Sequence, residues 1–240
     1  MKQFFPLCVN HPEIIYLDNA ASTQKPQAVI DAMSDFMANE YANIHRGLYS
    51  LSEASEVHYH ASKKLVAELL GCSSKEVIYT YNTTYAVNLL AQAMVKSKFL
   101  QKGDVVLVGM RDHHANVLPW MNLAEMIGFE VQFVATDEHY QIDWEDFDHK
   151  YTDSVKVVAM GQVSNVTGAI YDLKKIRSKI RLETFFLIDG SQSVPHMIVD
   201  MEELGADAVV FTAHKMLAST GLGVLALRNH WIKERTPLIL

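Results

Sequence analysis

The sequence predicts an α/β protein, a three-layer α/β/α sandwich around a mainly parallel sheet. Three observations carry that expectation. Apolar runs rich in Val, Ile and Phe recur at Val105–Val108, Val131–Val134, Val155–Met160, Phe185–Ile188 and Ala208–Phe211. Runs apolar at nearly every position suit strands buried on both faces. Segments of helical spacing separate them, which calls for crossovers and therefore parallel pairing. The runs end in polar clusters, and in such sheets ligands sit beyond the carboxyl ends of the strands.

The elements follow in order. Ile14-Ile15-Tyr16-Leu17 reads as a short strand entering the small-residue loop Asp18 to Thr23. Past Pro26, the residues Val29, Ile30, Met33, Phe36 and Met37 recur at helical spacing, with the proline near the helix start. Ser50 and Glu53 form a capping box for a helix that runs to Leu70 and stops at Gly71. His58 and His60 lie two apart on that helix, so they face different ways and cannot chelate one metal. Val77-Ile78-Tyr79 is a strand, and Asn82-Thr83-Thr84 leads into a helix through Val87 and Leu90. After the Val105 strand comes the polar loop Arg111-Asp112-His113-His114, then a helix around Leu123 and Ile127. The Val131 strand precedes a short helix near Trp144, and the Val155 strand leads to Ser164-Asn165-Val166-Thr167-Gly168. A helix with Leu173, Ile176 and Ile180 precedes the strand that ends in Asp189. After Gly221-Leu222-Gly223, the run Val224–Leu227 returns as a neighbouring strand.

Composition narrows the function classes. With 240 residues, 49% hydrophobic and 20% charged, the chain can bury a substantial core. A formal net charge of −7 argues against a nucleic-acid partner, which calls for a basic face. Cys8 and Cys72 are too few for a disulfide framework and suggest a reducing, cytoplasmic setting. The start is too short and interrupted for a signal peptide, and no apolar stretch reaches the ~18 residues of a membrane span.

The chemistry concentrates at the strand ends. Lys215 follows a core strand within Thr212-Ala213-His214-Lys215, and Asp189 ends the strand before it. A strand-terminal lysine alone more often snorkels to water, and an aspartate alone often caps the next segment. Together they place an amine and a carboxylate at one sheet edge. Pyridoxal 5′-phosphate (PLP) needs a lysine to form an imine and a carboxylate to hold its pyridinium nitrogen. Thr83 and Thr84 open a helix, where free N–H groups and the helix dipole favour a phosphate. His113 could stack on a planar ring. Asp112-His113-His114 also invites a metal reading, but no further His or Cys stands at ligand spacing, so no metal is expected. Gly221-Leu222-Gly223 precedes a strand rather than a helix and lacks a third glycine, so it is no dinucleotide signal.

Taken together, several segments resemble a known family. They are Tyr16–Thr23, Asn43–Gly47, Asn82–Thr84, His113–Trp120, Ser164–Gly168, Asp189–Gln192 and Thr212–Lys215. The likeness is to the class V, fold-type I PLP enzymes, and within them to cysteine desulfurases and selenocysteine lyases of the SufS/CsdA type. It spans nearly the whole chain in the right order. It implies that residues 1–240 form the PLP-binding large domain, with a segment of about residues 1–25 packed near the active site. It implies that Lys215 carries the cofactor, that Asp189 pairs with the pyridine nitrogen, and that His113 stacks on the ring and takes part in proton transfer. Gln192 would bond the ring's phenolic oxygen, and Thr84, Thr212 and His214 would hold the phosphate with Thr83 nearby. Asn165 and Arg46 would meet the substrate, with His45 and Arg46 near the mouth of the site. The implied substrate is L-cysteine or L-selenocysteine, and the implied partners are a second copy in a homodimer and a sulfur-acceptor protein. Family members continue into a small C-terminal domain that carries the attacking cysteine and a carboxylate-clamping arginine. Cys8 and Cys72 do not stand in that cysteine motif. The expectation is thus the cofactor-binding half of a desulfurase, either incomplete as a single chain or inactive without a second one. Selenocysteine lyase and other class V activities remain as alternatives.

Overall fold

The computed structural model describes residues 1–45 and 47–234. In chain order the helices are α1 (Pro6–Asn10), α2 (Gln27–Asp35), α3 (Ser50–Leu70), α4 (Thr83–Lys96), α5 (His114–Ile127), α6 (Trp144–Lys150), α7 (Leu173–Lys179), α8 (Met201–Leu204) and α9 (Asn229–Glu234). The strands are β1 (Val77–Thr80), β2 (Val105–Gly109), β3 (Glu130–Val134), β4 (Val155–Gly161), β5 (Phe185–Asp189), β6 (Ala208–Thr212) and β7 (Gly223–Leu227). They form one sheet in the order β1-β7-β6-β5-β4-β2-β3. The β6-β5-β4-β2-β3 block is parallel, and β7 runs antiparallel between β6 and β1.

Side-chain alternation along each strand builds two cores. Val158, Met160, Phe186, Ile188 and Val209 face a layer that includes Leu173, Ile176 and Met201. Val157, Ala159, Phe185, Leu187 and Val210 face the opposite layer, where α4 and α5 supply Val87, Leu90, Met94 and Trp120. The period of two along the strands sorts neighbours to opposite faces, so both faces need an apolar cover. The sandwich and its parallel sheet are as the sequence predicts.

The strand order explains where a site can form. The chain leaves β2 toward β3 on one side, whereas it leaves β4 toward β5 on the other. Loops after the adjacent strands β2 and β4 therefore part, and a crevice opens at their carboxyl ends. Because β7 is antiparallel to both neighbours, the carboxyl end of β1 also reaches this edge. Thr80 and Thr212 both lie opposite Gly223.

Gly223 makes that junction possible. A Cβ there would sit 2.5 Å from the Cα of Asn82, the residue that caps α4. Main chain cannot yield as the end of a side chain can, so Gly223→Ala should cost roughly 1–3 kcal/mol by overpacking. Urea unfolding checks this, since an unchanged midpoint would rule out the close approach.

Two local expectations are corrected. Ile14–Leu17 is not a strand: it has no sheet partner among the described residues, and Ile15 and Leu17 are 77% and 85% exposed. A strand needs a ladder for its backbone groups, and none of the seven strands lies beside this segment. The Tyr16 hydroxyl instead ties the segment to the Ser22 carbonyl at 2.6 Å. Helix α3 starts at Ser50, with Tyr49 as its N-cap and no side-chain cap bond, so Ser50 and Glu53 form no capping box. Gly71 ends α3 at φ +61°, a conformation that glycine adopts without strain.

Candidate active site

A cavity of about 510 Å³ lies at the carboxyl edge of the sheet. Thr83, Thr84, His113, Asn165, Asp189, Gln192, Thr212, His214 and Lys215, expected as site residues from the sequence, all line it. Arg46 falls outside the described residues. His45 is not among the lining residues. Its ring packs edge-on against Tyr59, with Nδ1 3.8 Å from the Glu56 carboxylate on α3. Asp18, Ala20 and Ala21 from the N-terminal segment complete the wall.

The centre of the cavity is built on β5 and β6, neighbours in which Asp189 lies opposite Val210. Asp189 is 7% exposed, and its Oδ1 accepts the Ser191 N–H at 2.9 Å. Its Oδ2 has no protein partner among the described residues. Lys215 sits in the short 3₁₀ turn that follows β6 and is half-buried. Burial pulls its amine below the ordinary lysine range, while the nearby Asp189 carboxylate opposes that shift. His113 caps α5, with its Nδ1 accepting the Ala115 N–H at 3.0 Å. Burial, then the charge of Lys215, lower its pKa from an ordinary value already below 7. The imidazole is therefore neutral at pH 7, with its proton on Nε2.

One end of the cavity suits an anion. The Asn82 side chain accepts the Tyr85 N–H at 2.8 Å, leaving Thr83 and Thr84, the first helical residues, without intrahelical acceptors for their N–H groups. Thr83 Oγ1 and Ser191 Oγ are 2.8 Å apart, joining this helix to the β5 loop. Thr212 Oγ1 reaches the Leu222 carbonyl at 3.4 Å. The His214 Nδ1 is buried with no hydrogen-bond partner. The His214 carbonyl accepts from the Thr23 N–H, the Thr23 hydroxyl and the Lys25 amine, at 3.0, 3.0 and 3.1 Å. Those bonds clamp the N-terminal segment onto the turn that carries Lys215. Gln192 Nε2 donates to the Ala20 carbonyl at 2.7 Å, which ties the same segment to the β5 loop.

Sequence reasoning passed over the role of Asp112. Its Oδ2 accepts from the Gly161 N–H at 3.0 Å, the Gly109 N–H at 3.3 Å and Asn116 Nδ2 at 2.9 Å. One carboxylate oxygen thus binds the ends of β2 and β4 to the first turn of α5, and so sets the loop bearing His113. A Cβ on Gly109 or Gly161 would lie 2.7 or 3.0 Å from Asp112 Oδ1, so the two glycines leave room for it. Burial pushes the Asp112 carboxyl up to about 7, despite those three donors. The glycines that end two core strands were the available signal, but their meaning depends on β2 and β4 being neighbours.

The cysteines lie elsewhere. Neither Cys8 nor Cys72 is among the lining residues. Cys72 packs against the core beside α3, where burial, then the Glu76 carboxylate, push its thiol up to about 11. Such a thiol is a poor nucleophile at neutral pH.

Comparison with known proteins identifies the family of this chain. The Aminotransferase class-V family model matches residues 15–240. A probable cysteine desulfurase of Aeropyrum pernix is 38% identical over 225 residues, covering 93% of this chain and 54% of that protein. One from Vibrio cholerae is 38% identical over 231 residues, covering 95% and 57%. Among solved structures, the apo cysteine desulfurase of Thermococcus onnurineus superposes with a TM-score of 0.92 at 32% identity, covering 100% of this chain and 59% of that one. The Escherichia coli cysteine desulfurase CsdA gives 0.89 at 29% identity, covering 100% and 60%. The chain therefore spans a little over half the length of the relatives it matches. Members of this family are PLP-dependent. With the family model matching nearly the whole chain and a lysine and a carboxylate sharing one strand-end cavity, the chain belongs to the class V aminotransferase family.

Proposed function

We propose that this chain holds PLP on Lys215 and forms the cofactor-binding part of a cysteine desulfurase, which converts L-cysteine to L-alanine and passes on the sulfur. The observation that carries the reading is the meeting of Lys215 and Asp189, from adjacent parallel strands, in one cavity with the α4 N-terminus. The donor set fits the cofactor. The first N–H groups of α4, the hydroxyls of Thr83, Thr84 and Thr212, and the orphaned His214 ring nitrogen suit a phosphate. The free Asp189 Oδ2 suits a protonated ring nitrogen, and the second N–H of the Gln192 amide suits a phenolic oxygen.

Bound there, PLP supplies an electron-accepting ring that acidifies the α-hydrogen of an attached amino acid. The protein's own groups do the rest. Asp189 would hold a proton at the ring nitrogen. Lys215, with its amine held below the ordinary range by burial, would bond the cofactor and could carry the α-proton at its Nζ. His113 would lie against the ring as a neutral imidazole, adding no cation beside Lys215. Asn165, exposed on the cavity wall and without a side-chain hydrogen bond, would meet the substrate carboxylate.

These 240 residues bring no cysteine to the cavity. The thiol that takes sulfur from substrate thus comes from outside them in this reading. Pairing with a second copy, a sulfur acceptor and a cytoplasmic setting belong to the same proposal. The exposed apolar residues Ile15, Leu17, Met37, Tyr41 and Leu48 support an interface for the N-terminal third. Among the described residues no helix is long and apolar enough to cross a membrane.

Borohydride reduction of the PLP-loaded protein, followed by peptide mass mapping, should place the phosphopyridoxyl group on Lys215. A label on Lys25, whose amine also lies below the ordinary range, or on Lys174 or Lys175 would refute the assignment.

A further inference from the structure

We infer that Arg111 is a second substrate-carboxylate anchor, a guanidinium supplied by the β2–α5 loop to the cavity that Asn165 also lines. The inference rests on the function proposed above, which sets where the amino group of the substrate goes. It starts from a census of the charges on the cavity wall. Among the described residues, the lining groups that can carry positive charge are Arg111, His113, His214 and Lys215. Both imidazoles are driven toward the neutral form by burial. Lys215 is committed to the cofactor, and its phosphate has the α4 N-terminus. The amine of Lys25 is tied to the carbonyls of Thr23 and His214 and does not line the wall. Among the described residues, Arg111 is then the one permanent cation left for a ligand.

The second observation is how Arg111 is held. Its Nε donates to Thr136 Oγ1 at 2.9 Å, and its guanidinium lies over the Tyr140 ring at 4.8 Å. Both supports belong to the tight loop after β3, in which Asp137 Oδ1 accepts the His139 and Gln141 N–H groups and Tyr140 stands at φ +61°. The loop is docked at the site because the Met110 N–H donates to the Val134 carbonyl at 2.9 Å. One edge and one face of the guanidinium are thereby fixed, and Nη1 and Nη2 have no protein partner among the described residues. No acidic side chain forms an ion pair with Arg111 there. A planar fork with two free donors, on a wall shared with Ser164 and Asn165, matches a carboxylate. Its cation–π contact and Thr136 bond limit the side-chain entropy lost when a ligand binds.

The test compares a carboxylate with its ester. L-alanine and L-alanine methyl ester are titrated by calorimetry into the PLP-saturated 240-residue chain and into its Arg111→Met and Arg111→Lys variants. Arg111→Met should weaken L-alanine about 10- to 100-fold, the worth of charge-assisted hydrogen bonds. The ester should weaken less than about 3-fold, because it offers no anion. Arg111→Lys should recover part of the loss, as a point charge without the fork. Equal loss for both ligands, or no loss for either, overturns the inference, as does a parent chain that binds no L-alanine at ~100 mM. PLP uptake, read from absorbance, is scored separately. A parent that takes up no PLP sinks the proposed function and the inference with it, whereas equal losses for both ligands, with a parent that does take up PLP, overturn the role of Arg111 alone.

Discussion

Asp189→Asn should leave PLP on Lys215 and yet slow α-proton exchange of a bound amino acid by ~100- to 1,000-fold, the scale of losing one preorganised electrostatic partner. The direction follows from a single hydrogen bond. The Ser191 N–H donates to Asp189 Oδ1, so an asparagine keeps its carbonyl oxygen on that side. Its NH₂ group then occupies the place of Oδ2 and faces the cavity as a donor. A ring nitrogen opposite a donor must accept, so it stays unprotonated and the ring becomes a weaker electron sink. Cofactor retention follows because the proposed covalent link and phosphate donors would lie at the end of β6, in the turn after it and at the start of α4, rather than on Asp189. Hydrogen–deuterium exchange at the α-carbon of L-alanine, followed by NMR on the PLP-loaded chain, measures the effect. Exchange as fast as in the parent would remove Asp189 from the mechanism. Loss of the cofactor in the variant would show that the carboxylate holds the ring rather than tuning it.

Both Lys215 and Asp189 were legible in the sequence because each closes an uninterrupted apolar run. Ala208–Thr212 and Phe185–Asp189 are buried at every position, and a charged group next to such a run has few structural roles. The sandwich was legible for the same reason, since runs apolar on both faces need two covers. Other features depend on which strands are neighbours, and a single sequence does not state that. Asp112 looks like one more polar loop residue until β2 and β4 pair and bring the Gly109 and Gly161 N–H groups to its carboxylate. Arg111 gains meaning only when the loop after β3 docks beside it. Ile14–Leu17 misled through composition alone: β-branched residues suit a strand, but no described strand offers a ladder. At α3 the capping-box motif misled, because Tyr49 takes the cap position and no side chain caps the helix. The helix already includes Ser50, so its hydroxyl stands inside the first turn rather than at the cap.

The Asp112 carboxyl makes the protein lose stability as pH rises through neutrality, and Asp112→Asn should abolish that loss. In the folded chain the group titrates at about 7, whereas unfolded it titrates near 3.8. Between those values the folded state holds a proton that the unfolded chain has released. The stabilisation is therefore complete below about pH 4 and is lost as pH climbs through 7. A shift of this size corresponds to at most ~4 kcal/mol, and contact of the residue with water argues for ~2–3. In a domain of this length that is a fall of roughly 5–10 °C in the unfolding midpoint between pH 5 and pH 8. Asparagine can keep the acceptor that matters, because Gly109, Gly161 and Asn116 all donate to the one oxygen, Oδ2. It carries no charge to bury, so its midpoint should change less than that of the parent over the same range. Taking the difference between the two proteins cancels the titration of the histidines. Asp112→Ala would behave otherwise, since it strands three donors and should destabilise at every pH. Parallel midpoint curves for parent and Asp112→Asn would mean that Asp112 is already ionised at pH 5. The clamp on the His113 loop would then be an ion held by three donors, and its grip would not weaken between pH 5 and pH 8.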